Sequence, residues 1–346
     1  MDAPLRLVMD GEALADNWRA LQRLSGRAAC GAAVKADGYG LGAAEVVTRL
    51  AQAGCRDFFA ATWTEAAALP PFGLSCAVLH GVREADLPAA LAGPARPVLN
   101  TAVQVARWRQ AGGGWCDVMV DTGMNRLGVS TDEVREGLLD GLRIDTLMSH
   151  LACADEDGAD AHAANARQRA ALAGLAGVTG ARRLSLANSA GIALGPDYAF
   201  DLTRPGLALY GGVTCAALAG VVRPVVQPQA EILQRRRVPV GESVGYNVTW
   251  TARADTEVAI LNIGYADGYA RGFSGVGMAG VGEARLPVLG RVSMDLLAID
   301  VTAAPELREG DWVAIDFDLP RAAAASGLSQ YELLTGLGRR FDRVWA

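Results

Sequence analysis

The feature that most constrains this chain is a rhythm. Up to about residue 220, short apolar runs alternate with helical patterns. The run LRLVMD comes first, followed by a helix from about Gly11 to Leu24 with Asp10 placed to cap it. Further strand candidates are CGAAVK (30–35), DFFAA (57–61), CAVLH (76–80), RPVLN (96–100), CDVMVD (116–121), IDTLMSH (144–150), RLSLAN (183–188) and the region of LTRPGLALYG (202–211). Helical stretches such as AAEVVTRLAQAG, TAVQVARWRQAG and AANARQRAALAGLAG separate most of them. About eight strand and helix units in roughly 220 residues suit a parallel (β/α)8 TIM-type barrel better than an open doubly wound sheet. No GxGxxG follows the first strand, which weakens a dinucleotide-binding alternative.

Near Val222 the texture changes to proline-punctuated, β-branched segments: RPVVQPQAEILQRRRVPVGESV, NVTWTARADTEVAILNIGY, RLPVLGRVSMDLLAIDV and DWVAIDF. These read as a mainly β domain with a short helical tail near Ser329 to Leu337, and the Ala-rich stretch Arg321 to Ala325 reads as a loop. The expectation is therefore an α/β chain with a barrel domain over 1–224 and a C-terminal β domain over 225–346. The net charge of −6 and the scatter of basic residues leave no stripe for a phosphate backbone, which argues against nucleic-acid binding. No apolar run approaches the roughly 20 residues that span a bilayer, so no membrane association is expected. The opening MDAPLRLVMDGEAL does not resemble a signal peptide, and a cytoplasmic protein is expected. Six cysteines show neither a CxxC pair nor zinc-like spacing; reduced, mostly buried thiols are favoured over disulfides, and no metal is expected.

In a parallel barrel, reactive groups collect where strands end, so the polar residues closing the predicted strands are the candidates. They are Lys35, Asp121 with Arg126 just beyond it, His150, Asn188 with Ser189, and Arg204. An ammonium at the end of GAAV is partly desolvated, which lowers its pKa and makes the free amine a nucleophile toward a carbonyl cofactor, or a base. The glycines of DGYGLG then offer backbone N–H groups before a helix starting at about Leu41 to Ala44, and the Tyr39 hydroxyl is a further donor, a pattern suited to a phosphate. Lysine and phosphate pocket together suggest pyridoxal phosphate. The bland alternative is a lysine in a solvated loop. Arg204 is either a surface ion-pair partner or a permanent cation beside a pyridine nitrogen that it leaves unprotonated, and His150 is either a satisfied core residue or a member of the site.

The motifs AAVKADGYGLGA, DTGMNRLG, SHLACADE, NARQ, ANSAGI, RPGLALYG, VGYNVTWTA, IGYADGYAR and GRVSMD, in that order, make the chain resemble the bacterial alanine racemases nearly end to end. The resemblance implies a pyridoxal-phosphate racemase of alanine, working as a homodimer. In it Lys35 would carry the cofactor, Tyr39, Ser189, Gly206, Leu207 and Tyr265 would hold the phosphate, with Asn188 beside them, and Arg204 would face the ring nitrogen. His150 would neighbour Arg204 in a hydrogen-bond chain toward the catalytic tyrosine. That tyrosine would be Tyr246 of VGYNVTW, chosen over Tyr265 and Tyr269 of GYADGY. Tyr246, Tyr265 and Met294 would serve the other subunit's site, and Arg126 and Met294 would contact substrate. Lys35 and Tyr246 would be bases on opposite faces of the reacting carbon, because a racemase removes a proton from one face and returns one to the other.

Two departures stand out. Many members carry a carbamylated lysine two residues before the Asp of DTGM, where this chain has Met119, so an anion or Asn125 has to orient Arg126 instead. Near the C-terminus LTGLGRRFDRVW offers no equivalent of a tyrosine some members place against the site. The rival readings are a broad-specificity serine and alanine racemase, a pyridoxal-phosphate carrier without turnover, and a barrel decarboxylase, which typically uses an acid where Arg204 stands.

Overall fold

The structure is a computed structural model that describes residues 3–69 and 74–346. The chain forms two compact units, Leu14–Arg223, and the residues up to Ala13 together with Pro224–Ala346. In the first unit parallel strands follow in the order Ala32–Ala33, Asp57–Ala60, Ser75–Val78, Arg96–Leu99, Trp115–Asp121, Arg143–Met148 and Arg183–Ser185. The eighth, Leu202–Thr203, runs parallel to Ala29–Cys30, which lies in the same extended segment as Ala32–Ala33. On its other side Asp201 and Arg204 donate their N–H groups to the carbonyls of Leu184 and Ala187. These bonds join the last strand to both neighbours and close the ring.

Closure requires a close approach at Gly31, where a Cβ would stand 2.8 Å from the Phe59 ring and 2.9 Å from the Asp57 carbonyl. Alternate residues of the strands point inward, and Phe59, Ala77, Val98, Met119, Met148 and Leu202 fill the barrel. A second apolar layer, including Leu99, Val105, Trp108, Ile144 and Leu172, packs strands against helices such as Ala102–Gln110 and Ala159–Ala173. At the amino ends of the strands the filling is ionic. Arg96 lies 3.3 Å from Asp117 and 3.1 Å from Asp145, and Arg183 lies 2.9 Å from Asp57 and 2.6 Å from Asp145. Burial pushes the Asp117 carboxyl up to about 6 against the pull of Arg96.

One predicted barrel strand belongs elsewhere. Leu5–Met9 pairs antiparallel with Val226–Val238, with Leu7 opposite Pro228, and parallel with Asp342–Trp345. The cause is in its pattern: Leu5, Leu7 and Met9 are buried while Arg6 and Val8 are only partly so, the alternation of a strand with one wet face. The barrel strands between it and the switch in texture are nearly continuous apolar runs instead. The helix Gly11–Leu24 follows with the expected cap, the Ala13 N–H donating to Asp10 Oδ1 at 2.8 Å.

In the second unit Thr256–Leu261, Leu297–Asp300, Ala284–Leu289, Met278–Val281 and Trp312–Ile315 pair antiparallel in turn, and the long strand Val226–Val238 bonds to both ends of this series. A register shift between Ile232 and Gln234 lets that one strand serve two neighbours and close an antiparallel barrel. The Ala-rich stretch expected as a loop is the helix Leu319–Ser326. Asp318 caps it through the Arg321 N–H at 3.2 Å, Gly327 ends it with φ of 74°, and alanine is the strongest helix former between such stops. The helix Gln330–Thr335 follows where a tail was expected, started by Ser329 and Glu332. No helix among the described residues is long and apolar enough to cross a membrane.

Leu7 is fully buried in the second unit. Leu7→Ala is expected to cost about 2–5 kcal/mol in urea denaturation, and hydrogen exchange should place the loosening in Val226–Val238 and Asp342–Trp345, not in the parallel barrel.

Candidate active site

The strand that begins the barrel stops when the Val34 N–H donates to the Phe59 carbonyl, and Lys35 follows at once. The chain then does something rare for L-residues: Ala36, Asp37, Gly38 and Tyr39 all take positive φ, between 53° and 62°, and Gly40 continues at 87°. The left-handed conformation costs roughly 1–2 kcal/mol per non-glycine residue, so its surroundings must hold it. Gly38, Gly40 and Gly42 donate their N–H groups to the carbonyls of Val34, Ala36 and Asp37, each at 2.9 Å. Asp37 accepts from the Ala43 N–H at 2.9 Å, and Glu65 accepts from the Ala36 N–H at 3.0 Å. This corrects the expectation that the glycine N–H groups face a phosphate. They close on their own chain and build the turn that presents Lys35 and Tyr39.

Tyr39 is buried and stacks on Tyr210, with centroids 4.6 Å apart, while Tyr210 donates its hydroxyl to the Ala33 carbonyl at 2.8 Å. Its own hydroxyl comes so close to Gly206 that a Cβ there would lie 2.2 Å from it. Ser189 Oγ accepts from the N–H groups of Gly206 at 3.0 Å and Ala208 at 3.2 Å. Asn188 caps the short helix Ser189–Ala193 by accepting from the Gly191 N–H at 2.8 Å, so it positions Ser189. Tyr39, Ser189 and Gly206 thus meet in one polar cluster, with buried Leu207 next in the chain, and the approach of the Tyr39 hydroxyl requires glycine at 206.

Arg204 is 6% exposed and donates to Ser185 Oγ at 2.5 Å and to the Ser149 carbonyl at 2.6 Å. Burial lowers its pKa to about 10, so it stays cationic at neutral pH. The expected bond from Arg204 to the His150 ring is not among the hydrogen bonds of the described residues; the arginine acts on His150 through charge. Burial first, then Arg204, Arg126 and Lys35 bring the His150 pKa down to about 3. Lys35 is itself held below the usual amine range by burial and then by Arg126, with Glu65 opposing. Among the described residues none of Lys35, Arg126 and Arg204 has a carboxylate within ion-pair distance. The site therefore carries a surplus of positive charge, which an anionic occupant would relieve.

Arg126 is held by its main chain. Asp121 accepts from the N–H groups of Gly123 at 2.8 Å and of Met124 and Arg126 at 2.9 Å, and Asn125 between them takes φ of 55°. Met119 lies buried in the barrel filling, where the resemblance led one to expect a lysine. What braces the Arg126 loop here is Asp121. Gln168 of the NARQ motif ties the next loop down, accepting from the Ala152 N–H at 2.9 Å and donating to the His150 carbonyl at 2.9 Å. Glu65, Gln168 and Tyr210 escaped the sequence reading; Thr62-x-x-Glu65, a capping box directly after a strand, was the legible signal for the first.

The second unit gathers the other candidates. Tyr246 is 68% exposed on the turn Tyr246–Val248, where Asn247 and Val248 take φ of 63° and 50°. The Tyr265 N–H donates to the Ser293 carbonyl and the Ala266 N–H to the Met294 carbonyl, both at 3.0 Å, while Gly245 packs near the Arg291 backbone. Tyr246, Tyr265 and Met294 thus share one region, with Arg271 over the Tyr265 ring at 5.0 Å. The Tyr265 turn is braced where the resemblance lacked a tyrosine: Arg340 donates to Asp267 at 2.6 Å and to Asp295 at 2.8 Å. Tyr269 is buried on Phe273, and burial raises its hydroxyl's pKa, which leaves it unsuited to substrate.

Fold and site are those of an α/β-barrel protein with a desolvated lysine and unpaired guanidinium groups at the carboxyl rim of its strands. The family described as alanine racemase, N-terminal domain, matches residues 9–214, and that described as alanine racemase, C-terminal domain, matches 225–345. The chain belongs to the alanine racemase family. It is 45% identical over 355 residues to the alanine racemase of Dinoroseobacter shibae, covering 99% of each. It is 42% identical over 358 residues to the catabolic alanine racemase of Agrobacterium fabrum, covering 98% of this chain and 91% of that one. The crystal structure of alanine racemase from Bartonella henselae with covalently bound pyridoxal phosphate superposes with a TM-score of 0.90 at 31% identity, covering 99% of both chains.

A depressed His150 contributes stability that is complete above the ordinary histidine value of 6.5 and is lost as pH falls toward about 3. In a 15N NMR titration of the cofactor-free protein, the His150 imidazole should remain neutral at pH 5. Protonation near 6.5 would mean that the cationic surplus does not reach it.

Proposed function

We propose that this enzyme interconverts L-alanine and D-alanine with pyridoxal phosphate, using Lys35 and Tyr246 as bases on opposite faces of the reacting carbon. The observation that carries the reading is the cationic surplus at the barrel rim, a desolvated amine together with two guanidinium groups, alongside the polar cluster of Tyr39, Ser189 and Gly206. Those residues fit the cofactor: the amine suits its carbonyl, the hydroxyls of Tyr39 and Ser189 its phosphate, and Arg204 its ring nitrogen. Asn188, Leu207 and, from the second unit, Tyr265 would complete the hold on the phosphate. Pyridoxal phosphate, when bound, supplies the electron withdrawal that lets the α-carbon of an amino acid release its proton.

The chain's own groups do the rest. Lys35, with its pKa lowered by burial and by Arg126, is a base at Nζ that holds or delivers a proton on one face. Tyr246 Oη would do the same on the other. Arg204 keeps its own protons at neutral pH and so would face the ring nitrogen of a bound cofactor as a donor that does not protonate it, which would favour simple return of the α-proton. Neutral His150 shares that field and cannot compete for the proton. Arg126, presented by the Asp121-held turn, would take the substrate carboxylate with its guanidinium fork, and the Met294 backbone would add a second contact.

We further propose a homodimer in which Tyr246, Tyr265 and Met294 complete the partner's site. Support comes from exposure in the single chain: Tyr246 and Val248 at 68%, Met294 at 53% and Leu296 at 42% form an apolar surface unusual for a free protein. A cytoplasmic role supplying D-alanine for cell wall is the proposed setting.

Incubation with L-alanine in deuterated water should give D-alanine deuterated at the α-carbon; absence of both would sink the reading, and release of carbon dioxide would point to a decarboxylase. Borohydride reduction of the holoenzyme should fix the cofactor on the peptide containing Lys35. Tyr246→Phe should keep cofactor binding and reduce turnover of L-alanine by at least about 100-fold, whereas equal loss from Tyr265→Phe with Tyr246→Phe active would show that the base is misassigned.

A further inference from the structure

Glu65 has no part in the proposed reaction so far beyond one bond to the left-handed turn, yet its carboxylate joins two backbone segments of the site. One oxygen accepts from the Ala36 N–H at 3.0 Å, inside the left-handed turn and next to Lys35. The other accepts from the N–H groups of Ala61 at 2.7 Å and Thr62 at 3.3 Å, where the chain leaves the strand Asp57–Ala60. The helix Trp63–Ala67 that carries Glu65 is itself started by the reciprocal bond from the Glu65 N–H to Thr62 Oγ1 at 3.2 Å. A helix start needs only the second oxygen. The first reaches across to a turn 29 residues earlier that would otherwise be strained.

We propose that Glu65 is a positioning residue for the racemisation reaction, clamping the left-handed turn to the neighbouring strand so that Lys35 faces the reacting carbon. This rests on the reading of Lys35 as a base. The clamp is charge-assisted, and the carboxylate also acts on the amine. The charged and titratable groups facing Lys35 are Arg126, His150 and Glu65; Arg126 lowers its pKa and Glu65 opposes that, while Asp37 is turned away to the Ala43 N–H. Both effects depend on a carboxylate, because an amide has one acceptor oxygen. With that oxygen committed to Ala61 and Thr62, a glutamine would turn its NH2 donor toward the Ala36 N–H, also a donor.

Glu65→Gln therefore separates the two roles, since glutamine still serves in a capping box. In the variant holoenzyme, hydrogen exchange read by mass spectrometry should quicken about tenfold in the peptide spanning 34–42 while that of 62–67 stays as in the parent. Turnover should fall on the order of 10- to 100-fold with KM for alanine little changed, as for a misplaced group. The pH limb of kcat that reports Lys35 should move to lower pH, because the group that raised its pKa is gone. Thr62→Ala, which removes the other half of the cap, should leave the 34–42 exchange and the pH limb unmoved. Unchanged exchange at 34–42 in Glu65→Gln, or the same response in Thr62→Ala, would reduce Glu65 to a helix cap and overturn the proposal. The exchange measurement does not depend on racemisation, so failure of the clamp and failure of the racemase reading are distinguishable.

Discussion

Eight parallel strands closed into a ring have all their carboxyl ends on one rim, and everything chemical in the first unit follows from that constraint. Residues as far apart in sequence as Lys35, Arg126, His150, Ser189 and Arg204 meet because each stands at or just past the end of a strand. The same geometry forces the amino ends together on the opposite face, where Arg96 and Arg183 pair with Asp57, Asp117 and Asp145. The contrast between the two faces is informative. Charges are paired on the amino-end face and left unpaired at the rim, where Arg204, Arg126 and Lys35 add to burial in depressing the His150 pKa.

The turn after Lys35 shows how a site on a rim is made specific. A right-handed continuation of the chain would have needed no special support. The left-handed one stores strain, and it is held by its own glycine N–H groups, by Asp37 and by Glu65. In exchange, the turn follows Lys35 directly and ends on Tyr39, whose ring stacks on Tyr210 and whose hydroxyl closes on Gly206. Rigidity of this kind suits the proposed proton transfer, which tolerates little misplacement.

Much of this was legible in the chain. The periodic alternation of apolar runs and helical stretches located the barrel strands, Asp10 marked the start of its helix, and the polar residues closing the runs were the residues of the rim. The errors have physical causes. LRLVM carries the strict alternation of a half-wet strand, but only its pairing with residues 226–230 and 342–345 reveals which sheet needs it. The Ala-rich stretch after Asp318 was read as a loop by its low complexity, although its cap and its glycine stop were both present. The glycines of DGYGLG were rightly taken as turn-makers, yet composition cannot say whether their N–H groups point at a ligand or at the chain itself.

Local chemistry is written in the sequence: which residues start and stop elements, which faces are apolar, and which side chains bear an amine, a guanidinium or a phenol. That was enough to single out Lys35 and, by its motif, Tyr246 for the roles proposed. Tertiary structure decided what depends on distance between segments remote in the chain. It set Glu65 against Ala36, Asp121 under Arg126 and the Tyr39 hydroxyl against Gly206, buried Tyr269 and exposed Tyr246. Side-chain identity is a local property, whereas desolvation and the field of neighbouring charges, which lower the Lys35 pKa, exist only once the strands have brought those neighbours together.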